Sequence, residues 1–350
     1  MTRIQILLHL CMASVYVSAK LGCKDMEGND VDWFAVIKLP SDVDTAKGRS
    51  FVYFDPRIGG WTQSKLLISS NKSAIGATLS QLYKIDKKET FAIAYNDDSP
   101  DGPVESGRAH SKGVAVFDHD VGFWMVHSVP NFPPSSGEYS YPGSGAVYGQ
   151  SFLCMSISSN NLEDVGQYMR YAQVNPYLTN LPEYHKILAP SLVDVVNKKS
   201  LPKSATVFNT IRGIETLGGM KLKAFSKHKK YGKDLWYEFI ALHLNTQMAV
   251  ETWRKGNAKN IGSTCDHSDP SRNVYDVNTV KILDKQYEYK KDHSKWGVSR
   301  NANVPAVCIG DINRQMSQYK RGGGAVCIED AKLWEAFIQS VKDYDTCKIM

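Results

Sequence analysis

What the chain does not contain narrows it first. It has no Cys-x-x-Cys pair and no cysteine–histidine spacing suited to zinc, which speaks against a structural metal module. It has no low-complexity tract. With 42% hydrophobic and 22% charged residues, it has the balance of a chain that buries a core rather than one that stays disordered. Beyond its first residues it has no apolar run long enough to span a bilayer, so no membrane association is expected.

The one apolar run present lies at the start. "MTRIQILLHLCMASVYVSA" combines an early Arg3, an apolar stretch too short for an anchor and an end at Ser18 and Ala19. It predicts a secretory signal peptide over residues 1–19, and hence a secreted or lysosomal protein. Its removal takes Cys11 away and leaves six cysteines: Cys23, Cys154, Cys265, Cys308, Cys327 and Cys347. An even set in a secreted chain predicts three disulfides, with 15 pairings open. Asn71-Lys72-Ser73 is a glycosylation sequon. Net charge is +6, a modest excess that suits a polyanionic partner without requiring one.

Periodicity divides the chain in two. "VDWFAVIKLP", "FVYFD", "TFAIAYND" and "SFLCMSI" read as strands, and "KGVAVFD" and "GFWMVHSV" as a hairpin. "AIGATLSQLYK" and "LEDVGQYMRYA" have helical spacing. Prolines then gather between Pro176 and Pro202, and the pattern begins again. "KLKAFSKHK", "TQMAVETW", "DHSKWGVS", "PAVCIGD" and "AVCIED" read as strands; "DLWYEFIALHLN" and "AKLWEAFIQSVKDY" read as helices. These predict an α/β protein of two layered halves, residues 20–180 and 181–350.

Each half carries His-Ser-Lys once: His110 to Lys112, and His293 to Lys295. On an extended segment residues i and i+2 face the same way, so each histidine projects with its lysine. Two such units around one pocket suit phosphodiester cleavage. A neutral imidazole attacks phosphorus, a protonated one serves the leaving oxygen, and the lysines offset the charge of the non-bridging oxygens. No cofactor and no metal is called for. One histidine must be neutral and the other charged, which predicts activity on the acid side of neutrality.

"AHSKGVAVFDHDVGFWMVHSVPNFPP", "VDWFAVIKLP" and "DHSKWGVS" together resemble the deoxyribonuclease II family, in order along the mature chain. The resemblance implies a phospholipase D-like fold whose halves are related by a pseudo-two-fold axis. It implies an acid endonuclease that needs no divalent metal and leaves 3′-phosphate and 5′-hydroxyl ends. It makes His110, with Lys112, the nucleophile and His293, with Lys295, the acid and base. It pairs Cys23–Cys154, Cys265–Cys347 and Cys308–Cys327. It also draws attention to His127, for which a role behind the site or against substrate stands beside that of a strand histidine bonded in the core. Two departures are visible. Gly297 stands where many members have cysteine. Phe117 and Arg300 stand where the full phospholipase D pattern has aspartate.

Double-stranded DNA, with little sequence preference, is the partner this implies. Lys227, Lys229, Lys230, Lys291 and Arg321 are candidates for contacting its phosphates. Trp296, Tyr287 and Tyr289 either stack on bases or pack. Asp118 and Asp120 read as turn residues rather than as carboxylates that orient a histidine. The alternatives are a secreted DNA-binding or host-interaction protein without turnover, and a phospholipase or phosphodiesterase on the same scaffold.

Overall fold

A computed structural model describes residues 20–266 and 268–347; the expected leader, residues 1–19, lies outside them. The first half builds an antiparallel sheet from β1 (Trp33–Lys38), β2 (Phe51–Phe54), β3 (Phe91–Tyr95), β4 (Gly113–Phe117), β5 (Val121–His127), β6 (Gln150–Ser158) and β7 (Pro176–Asn180). The spatial order is β7-β3-β4-β5-β6-β1-β2, with the short Thr62–Gln63 strand at its edge. The second half uses β8 (Asn209–Glu215), β9 (Lys221–Lys227), β10 (Met248–Glu251), β11 (Val274–Ile282), β12 (Lys285–Glu288), β13 (Trp296–Ser299), β14 (Ala306–Gly310) and β15 (Gly323–Glu329). Their order is β8-β9-β15-β14-β13-β10-β11-β12. Among the described strands only the β10–β11 pair is parallel.

Run from its other end, the second order places β10, β13, β14, β15, β9 and β8 where the first has β3, β4, β5, β6, β1 and β2. Thus β4 and β13, the strands that follow the two His-Ser-Lys units, hold matching places. The strands are apolar on both faces because both faces are covered. Trp33, Ala35, Trp124, Val126, Leu153 and Met155 point into one core together with Trp296, Val298, Val307, Ile309, Val326 and Ile328 of the other sheet. The alternate residues Phe34, Val36, Phe123 and Met125 form a second core under a helix, α1 (Ala74–Leu79). Phe225, Met248, Val250 and Cys308 form a third under the helical turns of Trp236–Leu244.

Helices follow the matched strands β6 and β15. In α2 (Leu162–Ala172), Glu163 and Asp164 in the first turn and Arg170 in the last complement the helix dipole. In α3 (Ala331–Ser340), the Asp330 carboxylate accepts the Leu333 N–H at 2.8 Å. This helix was expected to run to Tyr344. It stops at Ser340, and Val341–Tyr344 pair instead with β11, because the chain end is tied to Cys265 through Cys347. All three disulfides match the pairing that the resemblance implied. Among the described residues no helix is long and apolar enough to cross a membrane.

Candidate active site

The two His-Ser-Lys units precede their strands and are held by the opposite half. The His110 N–H donates to the Gly322 carbonyl at 2.9 Å, and the Gly322 N–H donates to the Arg108 carbonyl at 2.9 Å. The His293 N–H donates to the Gly149 carbonyl at 2.9 Å, and the Gly149 N–H to the Lys291 carbonyl at 2.8 Å. Each bridge keeps its segment extended and turns histidine and lysine the same way. As a result His110, Lys112, His293 and Lys295 line one cavity of about 350 Å³, with Asp97, Ser128, Trp253, Gln318 and Arg321.

Asp97 is the residue that pattern reading missed. It ends the TFAIAYND segment, two residues after β3, with no motif to mark it; only the pairing of Tyr95 with Gly113 brings it beside the first unit. Its carboxylate accepts from Lys112 and, at 2.9 Å, from Arg321, and lies 3.9 Å from His110 Nε2. Burial pushes this carboxyl up, but Lys112, His110 and Arg321 outweigh burial and hold it below the usual range. His110 is shifted well below an ordinary imidazole by burial and by Lys112, with Asp97 opposing. Among the described residues no carboxylate is ion-paired with His293. Its ring stacks on Tyr148 with centroids 4.2 Å apart and meets the edge of Trp253 at 4.2 Å. Burial, then Lys295 and Lys112, lower it to about 2.

Two further groups titrate near neutrality. Burial and then Lys112 lower Lys295 to about 7, against Asp292 and Asp97. Burial raises Asp311, which accepts from Gly324 N–H at 2.7 Å, to about 7.

Several expectations change. Lys227 was a candidate phosphate contact, but it is fully buried and its ammonium donates to the carbonyls of Gln318 and Arg321, so it cannot reach solvent or DNA. Arg321, another candidate phosphate contact, crosses from the second half into the cavity. Lys229, Lys230 and Lys291 are exposed. Lys229 rests on the Gly107 carbonyl at 3.1 Å, beside the first unit. His127 is excluded from substrate by complete burial. It stacks on Phe152 in the aromatic core, and its Nδ1 accepts from Val129 N–H at 3.2 Å. Trp296 and Tyr287 are buried and cannot stack on bases. Tyr289 lies under the Arg254 guanidinium. Asp118 is a turn residue, accepting from Asp120 and Val121 N–H at 2.8 Å each. Asn71 is exposed, while Ser73 of its sequon caps α1. A side chain at Gly297 would run into the Trp236 ring 2.7 Å away and the Met248 methyl at 2.9 Å, so these two residues leave room for glycine alone.

A family model described as Deoxyribonuclease II matches residues 22–347. The chain is 42% identical over 333 residues to cell-death-related nuclease 7 of Caenorhabditis elegans, covering 95% of this chain and 89% of that one. It is 35% identical to plancitoxin-1 of Acanthaster planci, covering 97% and 96%. Deoxyribonuclease-2-alpha of Mus musculus is 32% identical, covering 97% of each.

Proposed function

The chain belongs to the deoxyribonuclease II family and is a hydrolytic endonuclease, and from that premise we propose that it cuts DNA in acid, without a divalent metal, through a phosphohistidine. The observation that carries this reading is the single cavity shared by His110, Lys112, His293 and Lys295. The matched strand orders support a phospholipase D-like arrangement about a pseudo-two-fold axis.

In this mechanism neutral His110 attacks phosphorus and the bond to the 5′-oxygen breaks. His293, protonated, gives that oxygen its proton and the 5′-hydroxyl leaves. Water then attacks the phosphohistidine while His293 takes its proton, the P–N bond breaks, and a 3′-phosphate is released. Lys112, Lys295 and Arg321 face the non-bridging oxygens, supplying the positive charge that a metal ion supplies in other nucleases. Asp97 holds Lys112 and Arg321 and supports the imidazolium of His110 as charge develops.

Acid preference follows from the charge of the cavity. Below about pH 7 Lys295 gains its proton and Asp311 loses its charge, so the cavity becomes more positive as pH falls. Bound phosphate then raises the two histidines, and one takes up the proton it must donate. Exposed Lys229, Lys230 and Lys291 suit backbone contact without base reading, so double-stranded DNA of any sequence is the proposed substrate. The disulfides and the expected leader fit a secreted or lysosomal protein.

Supercoiled plasmid incubated with the protein at about pH 5 in excess EDTA tests the reading. Nicking by the wild type, absent in His110→Ala, with a phosphoryl adduct mapped to His110 by mass spectrometry, is the expected result. Retention of plasmid without nicking instead supports the binding protein without turnover. Nicking abolished by EDTA removes the metal-free mechanism.

A further inference from the structure

Two buried lysines that the chemistry does not use occupy matching places. Lys38 ends β1 and Lys227 ends β9, strands at equivalent positions in the two sheets. Both are fully buried, and neither is ion-paired among the described residues. Lys38 Nζ donates to the Ala146 carbonyl at 2.9 Å and to that of Tyr148. Lys227 Nζ donates to the carbonyls of Gln318 at 2.9 Å and Arg321 at 2.7 Å. An ammonium with three donors is suited to gather several carbonyls at one point. Burial lowers both lysines, to about 7 and about 8, so the arrangement costs stability and calls for a reason.

The residue after each clamped carbonyl supplies that reason. Gly149 follows Tyr148 and exchanges its two backbone bonds with the Lys291–His293 segment. Gly322 follows Arg321 and does the same with Arg108–His110. A side chain at Gly149 would strike Asp292, and one at Gly322 would strike the backbone of Ala172. The clamped residues themselves reach across: the Tyr148 ring lies on His293, and the Arg321 guanidinium holds Asp97 beside His110.

We propose that Lys38 and Lys227 are positioning residues, each fixing the strap from which the other half's histidine hangs. Lys38 thereby governs His293, and Lys227 governs His110. This rests on the roles given to the two histidines above, and the experiment separates the two ideas.

DNA and thymidine 3′-(4-nitrophenyl) phosphate are compared as substrates, since nitrophenolate leaves without a proton and the DNA 5′-oxygen does not. Lys38→Met is expected to lose about 10²-fold on DNA, the cost of a misplaced catalytic group, yet keep the first-turnover burst of nitrophenolate. Lys227→Met is expected to lose both. Wild-type rates in both variants, or parallel loss on both substrates by both, overturn the proposal. His293→Ala is the reference. If it loses the burst, the histidine roles are wrong; if it keeps the burst and Lys38→Met does not, only the clamp fails. Where a methionine variant does not fold, Gly149→Ala replaces Lys38→Met and Lys227→Gln replaces Lys227→Met, with the same readout.

Discussion

The two histidines share a cavity but not an environment. His110 has Asp97, Lys112 and Arg321 around it; His293 has two aromatic rings. Asp97→Asn removes the carboxylate that lies 3.9 Å from His110 and the charge that pairs with Lys112 and Arg321. Loss of kcat/KM of about 10- to 10²-fold at pH 5 is expected, with near-normal DNA binding, since positioning and general acid–base support are worth that order. A variant as active as wild type would remove Asp97 from the mechanism. At Gly297 the expectation concerns stability. Gly297→Cys pushes Trp236 and Met248 aside and should cost about 1–3 kcal/mol, measured by denaturant unfolding. Trp236→Leu in the same chain should recover part of that loss. An additive pair would show that the two positions do not share space.

Among the elements, most strands were legible because aromatic and β-branched runs ended at turn residues, as in Trp33–Lys38 and Val121–His127. What escaped was set by partners distant in sequence. Val341–Tyr344 continues a helical pattern, yet is drawn extended by Cys265 and β11. Lys227 sits in a lysine-rich stretch that looks solvated, and its burial depends on carbonyls some ninety positions away. Asp97 needed the β3–β4 register, and Trp253 needed the second unit folded beside it. The histidine and lysine pairs, by contrast, were visible as a repeated triplet. Disulfides offer a check at this scale. Cys23–Cys154 spans 131 positions and Cys308–Cys327 spans 19. On chain entropy their removal as Cys→Ser pairs should cost about 5 and about 3 kcal/mol respectively, read as unfolding midpoints. A larger loss at Cys308–Cys327 would assign its value to native packing rather than loop closure.

For the whole molecule, charge and protons are linked. Free His110 and His293 are held low and a bound phosphate raises them, so binding takes up protons. A group whose pKa rises on binding makes binding tighter as pH falls. Calorimetry of a short uncleaved phosphorothioate duplex should show affinity rising from pH 7 to pH 5, with proton uptake revealed by buffers of different ionisation enthalpy. Flat affinity across that range would break the link.

Stability has its own pH dependence at Glu251, fully buried and with neither carboxylate oxygen hydrogen-bonded among the described residues. Burial raises it well above the ordinary value, Arg254 opposing. A raised carboxyl contributes stability that is present below its unfolded pKa and lost as pH rises through its folded one. Between the two, the loss is about 1.4 kcal/mol per pH unit. Glu251→Gln should therefore gain melting temperature relative to wild type as pH goes from 5 to 8. A constant difference would show that Glu251 does not titrate there.

Each disulfide stays within one half, so among the described residues the stretch that leads from β7 to β8 is the only covalent tie between the two sheets. Yet each histidine is suspended from a glycine belonging to the other side. A protease that severs the exposed stretch around 198–206 should thus leave a nicked protein that still works while its fragments stay docked. Either fragment on its own should be inert, because competence resides in the seam and in neither lobe.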